Sequence, residues 1–222
     1  MIKHGLGIFA LSLSMTSTAA TVQLIGDTFT YEYDDVANSG ALALFGTPTI
    51  VGDVVRFIPP DFRAESIDGI ATDVVTANFI FDRVYAHNGA QIGEIKVIEF
   101  GDYEIVNDGD VSVDLLLTGS SNVDFFDLTS DSASYDASGD SSGLQTWDLM
   151  ASINPATMFS SDATDLAITI QNTLRAETDA FGETAWIQKK LSFTASTEIP
   201  VPAAAWLFAS ALVSVAGIKR KK

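Results

Sequence analysis

From residue 21 to residue 196, apolar and polar positions alternate in short runs broken by Gly, Asn, Asp and Ser. In "DTFTYEYDD" the alternation places Phe29, Tyr31 and Tyr33 on one face of an extended chain, because successive side chains of a strand point to opposite sides. "DVVTANFIFDRVYA" is dense in β-branched and aromatic residues, the types that fit a pleated surface. "IGEIKVIEFGDYEIV" sets Ile92, Glu94 and Lys96 against Ile95, Val97 and Glu99, with a change of phase expected near Gly101. "DVSVDLLLTG", "LQTWDLMAS", "DLAITIQNTLRAE" and "ETAWIQKKLSF" continue the period. In the last, Ile187, Leu191 and Phe193 are expected on one face and Trp186, Gln188 and Lys190 on the other. Period two with a turn signal about every ten residues predicts an all-β domain, an antiparallel β-sandwich of jelly-roll-like kind.

The interruptions carry information too. "HNGA" after Ala86 predicts a hairpin, since Asn88 and Gly89 tolerate the positive φ of a tight turn. Residues 129–143, "TSDSASYDASGDSSG", are poor in apolar side chains and predict a mobile surface loop. No long amphipathic helix is expected; "FIPPDFRAESIDG" and "NPATMFSSD" have room for a short helical turn at most. "TASTE", ahead of Ile199, is expected to be a short stem leaving the domain.

Both ends depart from this pattern. The first 20 residues run from Lys3 through an apolar stretch to the small residues Thr18, Ala19 and Ala20, the order of a secretory signal peptide. Cleavage is expected after Ala19 or Ala20, so the translocon and signal peptidase are expected partners. At the far end, residues 201–218 carry no charge, and a helix of that length at about 1.5 Å per residue approaches the thickness of a bilayer's hydrocarbon. Lys219, Arg220, Lys221 and Lys222 follow directly and would stay on the cytoplasmic side. Ahead of the span, Pro200 and Pro202 stiffen the backbone and deny it an earlier helical start. The domain plan expected is therefore a signal peptide over 1–20, a β-sandwich over 21–196 and a C-terminal segment over 197–222 holding a single transmembrane helix.

That C-terminal segment resembles the PEP-CTERM sorting signal, in the variant written roughly Val-Pro-x-Pro-Ala-Ala-x-Trp-Leu-Phe, then a span ending in Gly and a basic tail. The matching positions are Pro200, Pro202, Ala203, Ala204, Trp206, Leu207, Phe208, Gly217, Lys219 and Arg220. Val201 stands between the prolines in place of the Glu of the family name, and Ile199 stands where the variant commonly has Val. The resemblance implies a transient anchor in the cytoplasmic membrane and recognition of the proline motif by an exosortase-type transpeptidase. It further implies cleavage near that motif and delivery to the cell surface or exopolysaccharide matrix of a Gram-negative bacterium. It covers the last two dozen residues and implies destination, not the activity of the middle.

Charge narrows the partners of the domain. The chain has a formal net charge of −17, and its 29 acidic residues all lie between residues 21 and 198, with only 7 of the 12 basic ones. Such a surface repels phosphate backbones and argues against nucleic acid. There is no cysteine, which excludes disulfides, thiolate metal sites and a cysteine nucleophile.

Most catalytic patterns fail. His87 is the one histidine left after signal removal and sits beside the predicted turn, and there is no phosphate loop, GxGxxG or HExxH. The expectation is a non-enzymatic exported protein with no cofactor. Two alternatives remain open. A calcium-dependent adhesive module would bind the cation at Asn107, Asp108 and Asp110, or at the looser set Asp131, Asp136 and Asp140, since hard cations want several oxygens. A carbohydrate-binding module would stack a sugar on Trp186, with Trp147 its partner or a core residue. A polysaccharide hydrolase would need two carboxylates, for which Glu99, Asp102 and Glu104 are the nearest set, although a solvated strand edge also explains them.

Overall fold

The alternating segments do become strands. The computed structural model describes residues 20–141 and 143–198. Within them lie β1 (Thr21–Ile25), β2 (Phe29–Asp34), α1 (Ser39–Phe45), β3 (Thr49–Val51), β4 (Val54–Phe57), β5 (Phe62–Ile67) and β6 (Asp73–Ala86). These are followed by β7 (Ile92–Val106), β8 (Asp110–Ser121), β9 (Leu128–Ser138), β10 (Gln145–Ile153), α2 (Pro155–Met158), β11 (Asp165–Glu177) and β12 (Thr184–Glu198). Ala20 directly precedes β1, whereas Ala19 and the whole sorting-signal resemblance from Pro200 onward lie outside the described residues. Among the described residues no helix is long and apolar enough to cross a membrane.

The strands form two antiparallel sheets, one ordered β1-β2-β6-β11-β8-β9 and the other β10-β7-β12-β4-β3, with β5 also paired to β12. Four pairings nest inside one another: β5 with β12, β6 with β11, β7 with β10 and β8 with β9. From β5 to β12 the chain is thus one long folded ribbon whose pairs fall alternately in the two sheets. The inward faces meet in a single core. One sheet contributes Phe29, Tyr31, Phe79, Phe81, Leu115 and Ile170; the other contributes Val55, Phe57, Phe62, Ile95, Trp147 and Ile187. Packing of two such faces is what an alternating sequence requires to remove its apolar half from water.

Several expectations need correction. Gly89 does adopt a positive φ of 69°, but β6 and β7 lie in different sheets, so the turn is a crossover between layers and not a hairpin. Turn residues report local dihedrals; they do not say which sheet the next strand joins. The predicted mobile loop is largely strand β9. Its outward positions are the polar Ser132, Ser134, Asp136 and Ser138, while Ala133, Tyr135 and Ala137 pack partly against the core. Small inward residues suit an edge strand, and they made a two-faced strand look like a polar tract. The Tyr135 hydroxyl donates to the Tyr103 hydroxyl at 3.0 Å and so ties β9 to the opposite sheet. "FIPPDFRAESIDG" holds β5, while "NPATMFSSD" does contain the short α2. "TASTE" is not a stem, because β12 runs through it to Glu198.

The change of phase expected in β7 at Gly101 does not occur; Ile95, Val97, Glu99, Gly101, Tyr103 and Ile105 all face inward. Gly101 is required by close approach: a Cβ there would sit 2.0 Å from the Gln188 carbonyl oxygen and 2.4 Å from the Trp147 ring. The phase changes in β12 instead, where the register slips between Lys189 and Leu191. Ala185, Ile187 and Lys189 face inward before the slip, and Ser192, Thr194 and Ser196 after it. Leu191 therefore leaves the face of Ile187. A bulge adds one residue to one strand, and that single residue inverts every later side chain.

Candidate functional site

Three polar side chains on three inward strand faces meet between the sheets. Glu99 comes from β7, Lys189 from β12 just before its bulge, and Asn172 from β11 in the opposite sheet; all three are 0 % exposed. The Lys189 ammonium donates to Glu99 Oε1 at 2.5 Å and to Asn172 Oδ1 at 2.5 Å. Asn172 Nδ2 donates to Glu99 Oε2 at 2.7 Å and to the Asp114 carbonyl at 3.3 Å. Ser192, brought inward by the bulge, donates its hydroxyl to Glu99 Oε1 at 3.3 Å. The Phe45 ring of α1 lies 4.2 Å from the Lys189 nitrogen, and Phe62 of β5 lies 5.7 Å from it.

Helix α1 is itself pinned in place. The Asn38 amide donates to the Asp34 and Ile80 carbonyls, and its oxygen accepts from the Ile80 N–H. That fixes Phe45 over the charged group. Burial drives the Lys189 pKa down, opposed by the Glu99 charge and its hydrogen bond. A charge without water must be matched by partners, and here the carboxylate, the amide and the aromatic faces supply them. Chemically, the cluster holds an amine, a carboxyl group and a carboxamide in mutual contact in a dry space.

The three carboxylates of the hydrolase alternative are divided by this geometry: Asp102 and Glu104 share the outward face of β7, and Glu99 lies on the inward one. Three residues apart on a strand, Glu99 and Asp102 point to opposite faces; Asp102 pairs outward with Lys190 at 2.8 Å, and Glu99 is sealed in the core. The solvated-edge explanation therefore fails for Glu99. Its position on the face of Ile95 and Val97 was visible in the period; so were Asn172 among Ile168, Ile170 and Leu174, and Lys189 beside Ile187. Three polar residues on apolar strand faces were the available signal.

Of the first calcium candidates, Asn107 and Asp108 lie in the β7–β8 connection and Asp110 opens β8. Asn107 has a φ of 69° and its amide donates to the Gly182 carbonyl at 2.6 Å, while Asp108 Oδ1 accepts the Gly109 N–H at 2.9 Å. The looser set is strung along β9 and its exit, with Asp131 accepting the Ser152 N–H at 2.8 Å. Among the described residues no group of three or more His, Cys, Asp or Glu side chains is placed to share a metal ion. Trp147 is buried in the core, and Trp186 is half-buried with the Arg63 guanidinium 4.2 Å over its ring. One stacking face of Trp186 is thereby taken. His87 sits in its turn, with Nε2 2.9 Å from the Thr30 hydroxyl.

The sequence reading missed a second feature. The loop between β8 and β9 presents Phe125 and Phe126, each 80 % exposed, with ring centroids 4.0 Å apart. Its base is held by Asp127, whose carboxylate accepts four hydrogen bonds from the backbone and hydroxyls of Ser160 and Ser161 at 2.6 to 2.9 Å. Those bonds, led by the Ser161 hydroxyl, hold the Asp127 carboxyl well below the usual carboxylate range. Two aromatic rings are thus displayed from a fastened base. No family model and no curated protein matches the chain.

Proposed function

We propose that the chain is an exported, non-enzymatic surface or matrix protein: a jelly-roll sandwich between a signal peptide and a PEP-CTERM-like sorting signal. The observation that carries this reading is the order of the C-terminal residues: Pro200 and Pro202, an uncharged run over residues 201–218, then four consecutive cations, all behind a strongly acidic domain. The nested pairing of β5 to β12 supports the jelly-roll description, since a double-stranded ribbon wrapped over two sheets generates that order. The sealing of Glu99 supports a non-enzymatic reading, because a carboxyl group without solvent contact meets no glycan. On this reading the exosortase recognises Pro200, Val201 and Pro202, and Lys219, Arg220, Lys221 and Lys222 hold the tail in the cytosol until cleavage.

Intact-mass analysis of the protein from cells and from medium tests it. The expected mature species lacks about 20 residues at the front, the length of a signal peptide. It also ends near the proline motif. A mature product that retains Lys222 overturns the sorting reading and leaves a permanent tail anchor.

A second reading, adhesion to a polysaccharide, is favoured by the Phe125–Phe126 pair, because adjacent exposed rings on an anchored loop offer a stacking surface. Replacing both phenylalanines with alanine is expected to weaken binding to exopolysaccharide about tenfold, as the loss of one or two aromatic contacts implies. Stability should stay within about 0.5 kcal/mol of the parent, as for other exposed positions. Affinity electrophoresis in purified exopolysaccharide reads the difference; unchanged mobility shifts would remove this reading.

A further inference from the structure

We propose that Lys189 Nζ and the Asn172 carboxamide condense inside the folded domain into an intramolecular isopeptide bond, with Glu99 carrying the protons, so that the two sheets become covalently joined. The inference stands on placement. The nucleophile, the electrophile and a carboxyl group are in direct contact and wholly buried, from three strands and both sheets. Glu99 Oε2 and the Asp114 carbonyl both accept from the Asn172 NH2, which fixes that group away from Lys189 and turns the amide carbonyl toward the amine. Glu99 therefore bridges the nitrogen that attacks, through Oε1, and the nitrogen that leaves, through Oε2. Holding reacting groups at contact in one geometry replaces a bimolecular encounter with a unimolecular step.

The step balances without any added reagent. Lys189 passes one proton to Glu99 and becomes a neutral amine, a state that burial already favours. Its lone pair attacks Asn172 Cγ, and negative charge collects on Oδ1. The protonated Glu99 delivers its proton to Nδ2 and takes another from the attacking nitrogen. The Cγ–Nδ2 bond breaks, ammonia leaves, and the carbonyl reforms as a secondary amide. Of the three ammonium protons, one departs with ammonia, one remains on Glu99 and one stays on the new amide nitrogen. Nothing is oxidised or reduced.

The product also suits its surroundings better than the reactants do. A buried ion pair, costly to keep dry, is replaced by a neutral amide and a neutral carboxyl group. The Phe45 and Phe62 rings wall the site, and loss of ammonia to solvent makes the reaction one-way. Asn172 and Lys189 lie 17 residues apart, in consecutive strands that belong to opposite sheets. In a chain with no cysteine, this bond does the work of a disulfide, and it withstands reduction. It requires folding alone and not export, so it stands or falls independently of the sorting signal.

The test is a digest of the full-length folded protein under denaturing conditions, followed by mass analysis of its peptides. The expected result is one branched peptide joining the segment with Asn172 to the segment with Lys189, lighter than the two together by one ammonia, about 17 Da. In the Glu99→Gln variant, which keeps the size of the side chain but cannot carry the proton, the same segments are expected as separate linear peptides with Lys189 open to acetylation. Separate peptides with an acetylatable Lys189 in the parent protein overturn the bond, as does an ammonia loss that maps to a cyclised asparagine. A branched peptide in Glu99→Gln overturns the role given to Glu99. The parent digest decides the bond whether or not the variant folds.

Discussion

Replacing Glu99 with alanine is expected to cost the fold about 3–5 kcal/mol, because it strands Lys189 in the dry core as an unlinked amine without a counter-charge, where the parent holds it ion-paired before condensation and as a neutral amide after it. Lys189 would keep Asn172 and the aromatic rings but lose its only counter-charge in the cluster. The penalty has a definite dependence on pH. The folded-state pKa of Lys189 lies below its ordinary value because of burial, so between that lowered pKa and the ordinary one the unfolded chain binds more protons than the folded one. Stability of the variant should therefore rise as the pH is raised toward about 10.4, where the unfolded-state lysine also becomes neutral. Urea unfolding of parent and variant across that range checks both size and sign. A loss under about 1 kcal/mol at pH 7 would mean that the cluster is not the dry, paired arrangement described, since stranded buried charges cost more.

Phe79→Ala is expected to be of similar size, about 3–5 kcal/mol, by a different mechanism. Phe79 is fully buried on β6, and its ring lies 5.2 Å from Tyr33, 6.1 Å from Phe45, 4.9 Å from Phe57 and 5.0 Å from Phe81. It thereby couples one sheet to β4 of the other and to the helix that covers Lys189. Truncation would remove its apolar area and leave a void that four rigid rings cannot easily fill. The loss should show as a lower urea midpoint with little change in slope, because the surface exposed on unfolding is nearly the same. Phe79→Leu, which conserves more of the volume, should cost less than about 1.5 kcal/mol. Equal losses in both variants would show that ring geometry and not volume sets the packing there.

Local pattern alone carried much of the architecture. The period of two determined that the chain is all-β, and it placed Phe29, Tyr31 and Tyr33 together in the core, because side-chain direction along a strand needs no information from elsewhere. The positive φ of Gly89 was legible for the same reason. The charge asymmetry, the absence of cysteine and the order of residues at both ends were also properties of the sequence alone. Other features depended on partners distant in the chain. β9 was missed because its polarity reflects an edge position, and a sequence does not display which strand is at the edge. Leu191 was misplaced because the bulge after Lys189 is a register slip against β7, visible only once the two strands are paired. Glu99, Asn172 and Lys189 each stood on an apolar face in the alternation, yet nothing local joins positions drawn from three strands and two sheets. Packing the sheets brought them into contact, since removing their shared apolar neighbours from water forced these three polar groups to satisfy one another.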